Sequence, residues 1–160
     1  MSKESRQSHI VKSLAETDFL AARLMQDIKP QKTSATVLLF SGDLGTGKTT
    51  FTKSIARALG VKDPVISPTF ILEKKYKIKN NQYFSTLIHI DAYRFETEEE
   101  AVVLRLEQEL KENNTLIVIE WPEKLGRYKP DNAKTFFFKG IDENTKEITA
   151  QAYLRVDEES

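Results

Sequence analysis

The sequence predicts a three-layer α/β fold, with a mostly parallel central sheet, antiparallel edge strands and helices on both faces. Three observations point to it. The short apolar run at 36–40 (TVLLF) leads directly into a glycine-rich stretch and then into a helical pattern. A second run at 115–120 (TLIVIE) has the same character of a strand buried on both faces. Two further pairs of strand-like segments read as hairpins, which places antiparallel strands beside that parallel core.

The elements follow in order. The start, MSKESRQSHIVKS, is polar and lacks the apolar stretch of a secretory signal. Residues 1–160 are expected to form one domain, with 1–7 and 157–160 as flexible tails. The first helix is expected at 13–25. Ser13 and Glu16 have capping-box spacing, and Leu14, Phe19, Leu20, Leu24 and Met25 supply an apolar face. IKPQKTSA breaks it. After the glycine-rich stretch, Phe51, Ile55, Ala58 and Leu59 recur at helical spacing, and Gly60 stands at the C-cap position. PTFILEKKYKI and QYFSTLIHID flank the turn-like KNNQ as a hairpin. A helix is expected over 97–114, opened by a capping box of Thr97 and Glu100. TFFFKGI and KEITAQAYLRV form the last hairpin.

Composition sets the bounds. The chain of 160 residues is the size of one ordinary domain. Lys+Arg and Asp+Glu both count 24, so net charge offers no whole-molecule attraction for nucleic acid or an anionic membrane. There is no cysteine, which excludes disulfides, thiolate catalysis and cysteine-based zinc sites. No apolar run approaches the roughly 20 residues of a spanning helix. A soluble, cytoplasmic protein is expected.

The chemistry concentrates in SGDLGTGKTT, residues 41–50. Gly42-x4-Gly47-Lys48-Thr49 satisfies the phosphate-loop pattern G-x-x-x-x-G-K-[ST]. Glycines let backbone N–H groups turn toward phosphate oxygens with no Cβ in the way, and the following helix points its positive end at the same anions. Asp43, Leu44, Gly45, Thr46, Gly47, Lys48, Thr49 and Thr50 are therefore the expected nucleotide cradle. Lys48 is expected on the β- and γ-phosphates, and the Thr49 hydroxyl on Mg²⁺. The competing reading is a flexible loop that happens to hold a lysine.

Four other stretches join it. Glu120 ends a buried-type strand, where a phosphate-loop protein places the carboxylate on its magnesium side; otherwise it is a strand-end glutamate facing solvent. Trp121 either walls the site or belongs to the core. In HIDAYR, His89 and Asp91 are two apart and face one side of a strand. Asp91 is the candidate to orient water, or else caps the next segment. His89 is structural or a site residue, and Arg94 contacts phosphate or a partner, or pairs with Asp91. Ser67 and Thr69 of SPTF sit where a loop senses a γ-phosphate, or form a strand-entry turn. Lys74, Lys75, Lys77 and Lys79 read mainly as solvated charges that discourage edge pairing, or else as a surface for RNA or an acidic partner.

Taken together, GDLGTGKTTF, SPTF, HIDAYRF and EWPE resemble the TsaE family (formerly YjeE), small bacterial ATPases of tRNA threonylcarbamoyladenosine synthesis. The resemblance runs from Thr17 to about Pro130. It implies ATP and Mg²⁺ held at Lys48, Thr49 and Glu120, with Asp91 needed for hydrolysis and the Thr17 region near the base. It further implies work alongside TsaD and TsaB type subunits, with tRNA touched only indirectly and no membrane. The sequence departs from the family at Lys53-Ser54, where Arg-Gly is usual. It departs again in the hairpin DENTKEIT, where a Gly-Arg feature is expected, so that an arginine contact to nucleotide or partner is either missing or replaced by Lys146.

Two other classes compete. A small nucleotide or nucleoside kinase also begins with such a loop, but closes an arginine-bearing lid over its acceptor. Here only Arg127 stands in a plausible loop. A non-catalytic module that senses ATP to control assembly uses the same loop. A GTPase would be expected to carry an Asn-Lys-x-Asp base reader, which the sequence lacks.

Overall fold

Seven strands join in one sheet in the order β1-β7-β6-β2-β5-β4-β3, in a computed structural model that describes residues 2–66 and 72–155. The strands are β1 (Ser2–Val11), β2 (Thr36–Ser41), β3 (Glu73–Lys77), β4 (Thr86–Asp91), β5 (Thr115–Glu120), β6 (Lys134–Gly140) and β7 (Lys146–Arg155). The centre is parallel: β2 lies between β6 and β5, and β5 pairs in turn with β4. β3 closes one edge antiparallel to β4, and β7 and β1 close the other.

Alternation along the central strands divides the core in two. Leu38, Phe40, Leu87, Leu116 and Val118 face helices α1 (Leu14–Asp27) and α2 (Lys48–Leu59). Val37, Leu39, Ile88, Ile90, Ile117 and Ile119 face the other way. That second layer is thin. It consists of 3₁₀ segments at Glu98–Leu104 and Pro122–Tyr128 and the one-turn helix α3 (Leu106–Glu109). On the first face, Phe40, Phe51, Phe136 and Phe138 form a four-ring cluster with centroids 5.0–6.5 Å apart. This cluster fixes α2, and so the loop before it, against β2 and β6.

Several elements differ from the sequence expectation. Residues 1–7 were expected as a tail, yet Ser2–Gln7 belong to β1, in register with β7 from Ser2↔Arg155 to Val11↔Lys146. Residues 157–160 lie outside the described residues. The single helix expected over 97–114 is broken at Arg105, whose φ is +50°. Leu104 and Leu106 are both buried, and two residues apart on a continuous helix would face nearly opposite sides. The left-handed residue between them turns both inward. The Thr97–Glu100 capping box is present. In α1 the buried residues are Thr17 and Ala21, with Ile28 buried at the C-cap and Leu20, Leu24 and Met25 packed at the side, while Leu14 and Phe19 are exposed. Ser13 caps the helix by accepting from the Glu16 N–H at 3.1 Å, but Glu16 reaches back to the Lys12 N–H. In α2, Ala56 is buried where Ala58 was expected, and Gly60 is the left-handed C-cap.

Candidate functional site

The glycine loop runs from the end of β2 into the first turn of α2, at the C-terminal edge of the parallel strands, where such sheets gather their ligands. Gly42 has φ +151°, and a Cβ there would lie 2.3 Å from the Phe138 carbonyl oxygen. Only glycine lets the loop pass this close to β6. Gly47, with φ +98°, is the N-cap of α2, so the helix opens with no side-chain cap on its N–H groups. Thr46 steadies the turn by donating to the Asp43 carbonyl at 2.7 Å.

Lys48 is the first residue of α2 and is buried. Its Nζ donates to the carbonyls of Gly42 at 2.6 Å and Asp43 at 2.8 Å. It also stands 4.4 Å from the centroid of the Trp121 ring. Burial pulls the Lys48 pKa below its ordinary value of 10.5, against the charges of Glu120, Asp91, Glu123 and Asp43. The charges of these four carboxylates all favour the ammonium form.

β5 and β4 bring two of those carboxylates. Glu120 is buried at 2 % exposure, and Asp91 is its register partner on β4. Leu116, Val118 and Glu120 share the α2 side of β5, as Leu87, His89 and Asp91 share that side of β4. The Glu120 carboxylate accepts from the Thr49 hydroxyl, at 2.8 Å to Oε1 and 3.1 Å to Oε2. Its Oε2 also meets His89 Nε2. Asp91 Oδ1 accepts from the Tyr93 N–H at 3.0 Å. Burial raises the Asp91 pKa above 3.8, with Glu120 adding to the rise and Tyr93, His89 and Lys48 opposing it.

The donor set fits a small hard cation. A hydroxyl and a carboxylate already face each other, and Mg²⁺ at a phosphate site typically takes one or two protein oxygens plus phosphate oxygens and water. Among the described residues no cluster of three His, Cys, Asp or Glu side chains forms an all-protein cage.

Trp121 lies in the left-handed region at φ +58°, which costs a non-glycine residue on the order of 1–3 kcal/mol. That conformation turns its ring against Lys48 and Tyr93, the latter at 5.0 Å between centroids. The ring also packs on the second core layer, so it serves wall and core together. Thr17 donates to the Ser13 carbonyl at 3.0 Å and lines a cavity of about 200 Å³ with Thr46, Gly47, Thr50, Asn144 and Lys146. Lys146 crosses from β7 to donate to the Gly45 carbonyl at 2.8 Å. Leu44 is exposed at the loop tip.

Ser67 and Thr69 lie outside the described residues. Arg127, the lid candidate, is drawn away to Glu98, Glu99 and the Tyr128 hydroxyl. Sequence reasoning overlooked Glu123, which accepts from the Ser41 hydroxyl at 3.3 Å and acts on Lys48. It also overlooked Tyr93. Both stand inside stretches already singled out, EWPE and HIDAYRF, and only the turns that carry them reveal their direction.

The protein-family model for "Threonylcarbamoyl adenosine biosynthesis protein TsaE" matches residues 11–149. The tRNA threonylcarbamoyladenosine biosynthesis protein TsaE of Rickettsia conorii is 40% identical over 116 residues, 72% of this chain and 61% of that protein. Its counterpart in Bacillus subtilis is 36% identical over 116 residues, 72% of this chain and 69% of that protein. The chain thus spans about three fifths of the Rickettsia relative's length. The crystal structure of YdiB from Bacillus subtilis superposes with a TM-score of 0.70 at 28% identity, covering 95% of this chain and 87% of that one. By the extent of the family match and by its mixed sheet with a parallel core, the chain belongs to the TsaE family.

Proposed function

We propose that this chain is a magnesium-dependent ATP hydrolase of the cytoplasm that supports tRNA threonylcarbamoyladenosine modification. Residues 1–160 act as one domain, working with TsaD and TsaB type subunits and touching tRNA only through them. The observation that carries the reading is the meeting of Thr49 with Glu120 at 2.8 Å, next to a buried lysine and a glycine loop.

In this reading the loop N–H groups from Asp43 to Thr50 and the Lys48 ammonium hold the phosphate oxygens. Thr49 and Glu120 hold Mg²⁺, which when bound neutralises phosphate charge and polarises the γ-phosphoryl group. Ser67 and Thr69 report on the γ-phosphate. Asp91, whose proton affinity burial raises, orients the attacking water and accepts its proton. The new bond joins the water oxygen to the γ-phosphorus. The bond broken is that to the oxygen bridging the β- and γ-phosphates, which leaves with ADP. Trp121 excludes water from the Lys48 side, and the cavity beside Thr17 receives the base.

Because Arg127 is committed to Glu98 and Glu99, it is a poor source of transition-state charge. An arginine supplied by a partner is worth about 10³–10⁵ in rate for phosphate-loop enzymes. Slow hydrolysis by the isolated chain, faster hydrolysis in the complex and tighter association in ATP than in ADP follow. The test is a pull-down against purified TsaD and TsaB type subunits in ATP, ADP and a non-hydrolysable analogue, with phosphate release measured in the same samples. Equal turnover with and without partner, together with nucleotide-independent binding, would contradict the proposal.

A further inference from the structure

His89 is the least economical residue of the core. It lies at 0% exposure in the middle of β4, between Ile88 and Ile90 and two residues from Leu87. Leucine or valine would fill such a position without burying two polar nitrogens. Among the described residues, Nδ1 has no hydrogen-bond partner. Nε2 has one, the Oε2 atom of Glu120. A carboxylate only accepts, so Nε2 carries the hydrogen and the ring's hydrogen bonding is committed to that oxygen.

The consequence falls on Glu120. Its carboxylate sits between two donors on different elements, His89 from β4 and Thr49 from α2. Thr49 reaches both oxygens, at 2.8 and 3.1 Å, while His89 takes only Oε2. The imidazole therefore sets the rotation of the carboxylate and leaves Oε1 turned to the Thr49 hydroxyl. Partners that orient a metal-binding side chain in this way are typically worth about 10–100-fold in metal affinity or activity.

We infer that His89 is a positioning residue for the magnesium side of the site. It fixes the Glu120 carboxylate through Nε2 so that Glu120 and Thr49 present their oxygens together. This rests on the functional reading above and adds a residue to it.

The experiment titrates magnesium chloride into the protein mixed with a fluorescent ATP analogue, following the analogue's binding, with a parallel series in EDTA. His89→Leu keeps the bulk and removes the donor. His89→Gln places an amide N–H near the position of Nε2. The expected result is a half-saturating magnesium concentration raised about 10–100-fold in His89→Leu, recovery toward wild type in His89→Gln, and unchanged analogue affinity in EDTA for both. Melting curves recorded alongside establish that both variants are folded. Unaltered magnesium dependence in His89→Leu would overturn the inference and leave the functional reading intact, as would a glutamine variant no better than leucine. Analogue binding that ignores magnesium in wild type and is unchanged in Lys48→Ala would overturn the functional reading itself.

Discussion

Alanine at Gly42 and at Gly45 separates two costs that the loop combines. Both glycines have positive φ, +151° and +74°. A Cβ on Gly45 meets nothing within 4 Å, so the substitution bears only backbone strain, about 1–2 kcal/mol. A Cβ on Gly42 would lie 2.3 Å from the Phe138 carbonyl oxygen and 3.1 Å from both Phe138 Cβ and Thr46 Oγ1. Backbone cannot swing aside as a side chain can, so the loop or β6 must move, adding about 1–3 kcal/mol of overpacking. For a chain of this size each kcal/mol lowers Tm by about 2–4 °C. Gly42→Ala should therefore melt several degrees below Gly45→Ala in scanning calorimetry and should lose more nucleotide affinity, since the cradle shifts with the loop. Equal melting temperatures would refute the claim that close approach to β6, rather than φ alone, demands glycine there.

Phe51→Ala removes one ring of the four-phenylalanine cluster and should cost about 3–5 kcal/mol in urea unfolding. Asp91→Asn should abolish hydrolysis yet raise Tm at pH 7. With the folded pKa raised, the contribution of this carboxyl to stability is full below 3.8 and lost as pH rises through the folded value, so the two proteins should converge in strong acid. At Asp18, burial pushes the pKa up, but hydrogen bonds from Arg57 and Ser54 and the charge of Arg57 outweigh it, so the folded pKa lies below 3.8. Its link between α1 and α2 should stabilise above that pH and fade as pH falls through the folded value. Asp18→Asn should flatten this part of the acid melting profile.

The parallel centre was legible because β2 and β5 are continuous apolar runs, and the loop because its glycines, lysine and threonine have a fixed spacing. Edges and covers were harder. β1 is polar along most of its length and owes its strand form to the backbone of β7, a pairing no local pattern announces. The region 98–109 has good helix formers, yet the need to bury Leu104 and Leu106 together imposed a left-handed residue at Arg105. At the site, residue types were readable and directions were not. Period two put His89 and Asp91 on one side of β4, but that His89 turns to Glu120, and Lys48 to Trp121, depends on strand order. The loop expected to carry Ser67 and Thr69 lies outside the described residues.

In the proposed reaction ATP is hydrolysed where Lys48, Thr49 and Glu120 meet. This is tested most directly by phosphate release from ATP in magnesium and in EDTA, by wild-type protein, Lys48→Ala and Glu120→Gln, each with the partner subunits present. Wild type should release phosphate only with magnesium, and both variants should lose at least about tenfold, the scale on which one site group matters. Glu120→Gln should retain ATP affinity in EDTA, because Glu120 is assigned to the metal. Release that persists in Lys48→Ala, or ATP affinity in EDTA that collapses in Glu120→Gln, would rule this site out as the place of hydrolysis.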